Sequence, residues 1–263
     1  MARIITAGCG ISFAKFDKWP TWPKFCQLSH QVDNVNVGGP ASGNEHIARS
    51  VCRAILEEIP VCVIVVWTSF DKLDLYVEDQ NRINSIHSYP SRNFLIDYRG
   101  NAVSGPGWWP SSVSDDNPVK QAYKTHLESK IYYCIRTLES IIAVQRLCKE
   151  KQILCYMFLG YDFDYNLMQT HSELKYLYNA IDWTQFQTNI SLDAMYQNSE
   201  WIKYATTKEH GLMPVAGWHF EFYNTHILPI LDMHFEKRNP HKFENLEGEI
   251  LRITKDCYQK GIS

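Results

Sequence analysis

Val61-Cys-Val-Ile-Val-Val-Trp67 is an uninterrupted apolar run bounded by Pro60. A strand with one wet face alternates apolar and polar residues, so a run with no polar position describes a strand covered on both faces, as in a parallel sheet. Ile153-Leu-Cys-Tyr-Met-Phe-Leu159 reads the same way and stops at Gly160. Arg3 to Ala7 is a shorter β-type run that ends in Gly8-Cys9-Gly10, and Val35 to Val37 is another that ends at Gly38-Gly39-Pro40. Helical spacing fills the intervals. Ile47, Val51, Ala54 and Ile55 follow Ser42 or Asn44 as N-cap, and Ile131, Ile135, Leu138, Ile142 and Leu147 lie in a long helical pattern between Pro118 and Glu150. Further helices are expected near Ser172 to Ala180, over His219 to Met233 despite Pro229, and over Phe243 to Gln259. Apolar strands alternating with helices predict a three-layer α/β/α architecture with a mostly parallel sheet. One domain over residues 1–263 is expected, with a long excursion at about 69–117 that carries Gly, Pro, Ser and Asn without sustained period. Ligand sites in this architecture lie at the strand C-termini, here the loops that start at Gly8, Gly38, Trp67 and Gly160.

Composition narrows the function classes. A net charge of -3 supplies no basic face for phosphates, so nucleic acid is not an expected partner. No apolar stretch approaches the roughly 20 residues of a membrane span, and the first residues lack the apolar run of a secretory signal, which predicts a product that is cytosolic where it is made. Eight cysteines sit singly, with no C-x-x-C pair, and read as buried thiols; no metal site and no cofactor are expected. Fifteen Tyr and eight Trp suit a surface that meets protein partners.

Four segments in order resemble the blocks of SGNH/GDSL hydrolases. Ala7-Gly8-Cys9-Gly10-Ile11-Ser12-Phe13 resembles the loop after the family's first strand, and Asn36-Val-Gly-Gly-Pro-Ala-Ser-Gly-Asn44-Glu-His-Ile47 is similar to its second block. Val65-Val-Trp-Thr-Ser-Phe-Asp-Lys-Leu-Asp74 and Pro214-Val-Ala-Gly-Trp-His219 through Ile227-Leu-Pro229 resemble the third and the closing blocks. The resemblance implies a flavodoxin-like sandwich of the SGNH-hydrolase type. Carried over by position, the nucleophilic Ser falls on Gly10 and the Asp before it on Cys9. The general base falls on Met213, and the Asp that orients it on His210 or Gly211. Oxyanion or pocket positions fall on Gly10, Ala41, Asn44 and Thr68. A triad that lacks nucleophile and base has lost nearly all its chemistry, so this register implies a pseudoenzyme that binds or builds rather than cleaves. The N-terminal blocks, with Trp19-Pro-Thr-Trp-Pro23, also resemble SGNH-like proteins of marine tailed phages, which implies a virion-associated role with other virion proteins or surface carbohydrate as partners.

A shifted register gives the competing reading, an esterase or carbohydrate deacetylase with Ser12 as nucleophile, His210 or His219 as base and Glu209 as orienter. Ser12 is equally a helix N-cap, and His219 equally a packed histidine. Asp162 and Asp164 offer two hard ligands, too few for a cation, and otherwise form a solvated loop. Trp108-Trp109 serves either as a stacking platform or as a loop anchor, and Lys72 with Asp74 either as an ion pair beside the site or as surface charges.

Overall fold

Odd and even residues of one strand point to opposite faces of a sheet, and the two central strands show what each face covers. Ile5, Ala7, Val63, Val65 and Trp67 join one apolar cluster, whereas Ile4, Cys62, Ile64 and Val66 join another. In the computed structural model the described residues are 1–10, 12, 20–40, 42–72, 74–78, 95–103, 106–110, 122, 125–126, 129–204, 215–237, 248–250 and 252. Strands β1 (Ala2–Ala7), β2 (Val32–Asn36), β3 (Cys62–Trp67) and β8 (Leu154–Leu159) form a parallel sheet in the order β2-β1-β3-β8. The order reverses direction between β1 and β3, which places the crevice of the fold above the ends of those two strands.

On the first face lie α2 (Asn44–Glu57), α3 (Lys130–Glu150), α4 (Tyr165–Thr170) and α5 (Ser172–Ala180). On the second lie α1 (Trp22–Ser29), α6 (Leu192–Gln197), α7 (Ala216–Phe222) and α8 (Leu228–His234). The chain is thus a three-layer α/β/α sandwich, as the apolar runs predicted. Helices α7 and α8 are joined by a π-helical turn, Tyr223–Ile227, just before Pro229. Proline has no N–H to return to the preceding turn, and the extra residue accommodates that loss without ending the helix.

The excursion contains short elements. Its described parts form a second, antiparallel sheet of β4 (Asp74–Val77), β5 (Leu95–Ile96), β6 (Ala102–Val103) and β7 (Gly107–Pro110), in the order β4-β7-β5-β6. Leu95 and Trp109 are the buried heart of its small core. The second parallel strand begins three residues earlier than its apolar pattern suggested, because Asn34 is buried with its polar atoms satisfied by Thr6 Oγ1 at 3.0 Å and the Pro23 carbonyl at 2.6 Å. The C-terminal helix expected over Phe243 to Gln259 falls mostly outside the described residues, of which 248–250 and 252 are helical.

Candidate functional site

The loops at the C-terminal ends of β1 and β2 are knotted together by polar bonds. Asn36 Nδ2 donates to the Ser12 carbonyl at 2.8 Å while its Oδ1 accepts from Gly38 N at 3.0 Å, and Gly39 N donates to the Gly8 carbonyl at 3.0 Å. Gly10 stands in the turn after β1, where the resemblance places the nucleophile, and has no side chain to offer. Ser12 is fully buried, its N–H bonded to the Cys9 carbonyl at 2.8 Å and its hydroxyl accepting from Trp22 Nε1 at 3.2 Å. A side chain on Gly8 would fall on that hydroxyl, so the glycine is what lets Ser12 turn back beneath the loop. No described histidine hydrogen-bonds Ser12.

The other expected positions are similarly occupied. Thr68 donates its N–H to Asn44 Oδ1 at 2.8 Å, so this donor is already engaged. Asn44 Nδ2 returns a bond to the Thr68 carbonyl and another to Thr137 Oγ1, both at 3.0 Å. His219 is buried beside Trp218, with ring centroids 5.3 Å apart; no partner meets its Nδ1, and burial pushes its pKa down to about 3. It is a packed, neutral ring with no orienting carboxylate among the described residues. Ala41, Glu209, His210, Gly211 and Met213 lie outside the described residues.

The antiparallel sheet sits over this end of the sandwich. Gly100, with φ of 74°, presses its backbone against Gly38 and Gly39 so closely that a side chain there would collide with the Gly38 carbonyl and with Gly39 Cα. Beneath it His46 is buried, its Nε2 3.0 Å from the Asp97 carbonyl and its ring edge-on to Trp108 at 5.8 Å. A carbonyl only accepts, so Nε2 carries the proton; burial, more than the opposing Asp97 carbonyl, holds the pKa of His46 below its ordinary value.

Asp74, at the start of β4, is buried rather than a surface charge. Its carboxylate accepts from Gly43 N and from His46 N, each at 2.8 Å, and so caps α2 from a distant strand. Burial drives its pKa up to about 6 against the pull of those two N–H groups and of Lys72. Beside it opens a depression of about 310 Å³ lined by Glu45, Phe70, Lys72, Tyr132 and Arg136 among others. Its charges are largely self-paired, since Arg136 binds Glu45 and Lys72 stands 5.7 Å from the Tyr161 ring.

Trp108 and Trp109 part company. Trp109 is buried in the small core as an anchor, whereas Trp108 is half-buried between Tyr76, at 5.4 Å, and the Arg49 guanidinium, at 5.5 Å. Asp164 caps α4 through Leu167 N at 3.0 Å and pairs with Lys130 at 2.8 Å; among the described residues no three ligand-type side chains gather as a metal site.

At the opposite end of the sheet the structure assembles a group that sequence reading missed. Ser29 Oγ lies 2.7 Å from His30 Nδ1 and also contacts Tyr223 Oη. His30 Nε2 lies 3.0 Å from Asp232 Oδ1, and Asp232 Oδ2 pairs with Lys237 at 2.8 Å. Only the adjacent Ser29-His30 pair is visible in the sequence. Asp232 stands 202 residues from His30, a separation no motif spacing encodes. Comparison with models of known protein families and with curated proteins finds no match to this chain.

Proposed function

We propose that the chain is a degenerate SGNH-hydrolase-like module whose strand C-terminal end binds rather than cleaves, with a protein partner in an assembled particle. The observation that carries this reading is the closed state of that end: Gly100 packs on Gly38 and Gly39, and the one described serine of the first loop spends its hydroxyl on Trp22. A nucleophile must reach a base, and Ser12 reaches none among the described residues. The contact surface on this reading is the rim formed by α2 and β4–β7, where half-buried Trp108 packs between exposed Tyr76 and Arg49. Aromatic rings next to arginine are what protein interfaces are enriched in, because they bury large area at low entropic cost.

Mass spectrometry of purified particles is the test of the partner, with stoichiometric copies of the chain as the expected result and complete absence as the result that overturns it. A fluorophosphonate probe tests the loss of chemistry at this end. No adduct on Ser12 is expected, and an adduct there that Ser12→Ala removes would establish the hydrolase reading instead.

A further inference from the structure

Ser29 Oγ has two acceptors in reach, His30 Nδ1 at 2.7 Å and the Cys26 carbonyl at 3.4 Å, and the nearer one takes its proton. Asp232 is paired with Lys237 and a carboxylate oxygen accepts, so His30 carries its proton on Nε2 and presents a lone pair at Nδ1. Ser29 therefore donates to Nδ1, and its own oxygen accepts from Tyr223 Oη. Tyr223, Ser29, His30 and Asp232 form a line polarised toward the carboxylate, in which each bond strengthens the next. Four segments contribute to this line: the end of α1, the residue after it, the π-helical turn and α8. His30 is fully buried and Ser29 is 6% exposed. Burial, the larger influence, outweighs the pull of Asp232 and leaves His30 with a lowered pKa, hence a neutral ring.

We propose that Ser29 is a reactive nucleophile that takes small acyl groups from activated esters, with His30 as its base and Tyr223 as donor to the oxyanion. Ser29 Oγ bonds to the ester carbonyl carbon as its proton passes to His30 Nδ1, and the carbonyl electron pair moves onto oxygen. Tyr223 Oη, already against Ser29 Oγ, is the hydroxyl in reach of that oxygen. On collapse the ester's alkoxide leaves and takes the proton from His30, giving acyl-Ser29 and an alcohol. Water repeating the sequence releases the carboxylic acid and the free serine. Asp232 is a positioning residue: it fixes the tautomer without touching the ester.

The local backbone limits the donors that meet the oxyanion. His30 N is spent on the Cys26 carbonyl at 3.3 Å and Gln31 N on the Glu236 carbonyl at 3.0 Å, so neither amide joins Tyr223 in holding the oxyanion. One donor in place of two slows both halves, and because an activated leaving group speeds only the first, acyl-Ser29 accumulates. This activity is independent of the binding reading above, because it lies at the other end of the strands.

The full-length chain, incubated with p-nitrophenyl acetate and separately with a fluorophosphonate, is digested and mapped by mass spectrometry. One adduct per chain on Ser29 is expected with both reagents, absent in Ser29→Ala. Asp232→Asn should slow its formation by about tenfold or more and change the pH at which the rate rises, with the urea midpoint measured alongside. Tyr223→Phe should slow acetylation while leaving that pH unchanged. A folded wild-type chain without an adduct on Ser29 overturns the proposal, as does an Asp232→Asn rate equal to wild type. An adduct confined to Ser12 overturns it and the binding reading together.

Discussion

Asn44 and Thr68 are bonded in both directions: the Asn44 amide donates to the Thr68 carbonyl at 3.0 Å and accepts the Thr68 N–H at 2.8 Å. The pair fastens the first turn of α2 to the end of β3, and the third bond, to Thr137, adds α3. All three residues are buried. Asn44→Ala should therefore cost about 2–4 kcal/mol, because it strands the Thr68 amide and carbonyl out of reach of water. Urea denaturation at pH 7 checks this, with a lower midpoint and an unchanged slope expected.

Asp74 gives stability a falling slope with pH. Its folded-state pKa is raised to about 6, above the ordinary aspartate value of 3.8, so its contribution is present at low pH and is lost as pH rises through the folded value. Between pH 4.5 and 7 the loss amounts to about 2 kcal/mol. Asp74→Asn should remove this slope, while weakening the cap at every pH because an amide offers one acceptor to two N–H groups. Wild type minus variant, measured by denaturation at both pH values, isolates the effect.

His219 acts with the opposite sign. Its pKa is depressed to about 3, so folding excludes a proton that the unfolded chain binds, and stability is lost as pH falls below the unfolded value. His219→Leu is expected to gain about 2 kcal/mol relative to wild type on going from pH 7 to pH 5. Parallel melts at the two pH values read this directly, and equal shifts at both would contradict a buried neutral ring.

Gly100 is the seat of the antiparallel sheet on the parallel one. Gly100→Ala adds a Cβ at φ of 74° and against the Gly38 carbonyl. A loss of at least about 2 kcal/mol is expected, and relief of the clash should lift the β5–β6 hairpin. Diethylpyrocarbonate then modifies His46 in the variant and spares it in wild type.

How much of this was legible in the sequence follows from the range of the interactions. Cys62–Trp67 and Leu154–Leu159 were readable because covering both faces leaves no polar residue in the run. Helix α1 was not, since its Trp22-Pro23 start resembles a loop and its buried face shows only against α7. The antiparallel sheet was missed because two of its strands are two residues long and acquire meaning only when paired. Asp74 read as either an ion-pair partner of Lys72 or a surface charge, for want of any local sign that it caps a helix 30 positions earlier, at Asn44. At the strand ends, sequence supplied the loops and the residue types, but not that Ser12 turns inward.

The rims of the parallel sheet decide how the molecule meets others of its kind. Along β8 the Met157 carbonyl is taken by Gln187 N at 3.0 Å, next to a parallel bridge from Met157 to Phe186, and along β2 the Asn34 carbonyl is taken by Gln27 Nε2 at 2.9 Å. An unpaired rim is a template on which a neighbouring chain extends the sheet, and both templates are interrupted at these points. Neither rim of the parallel sheet therefore offers an uninterrupted edge on which a second copy could extend it.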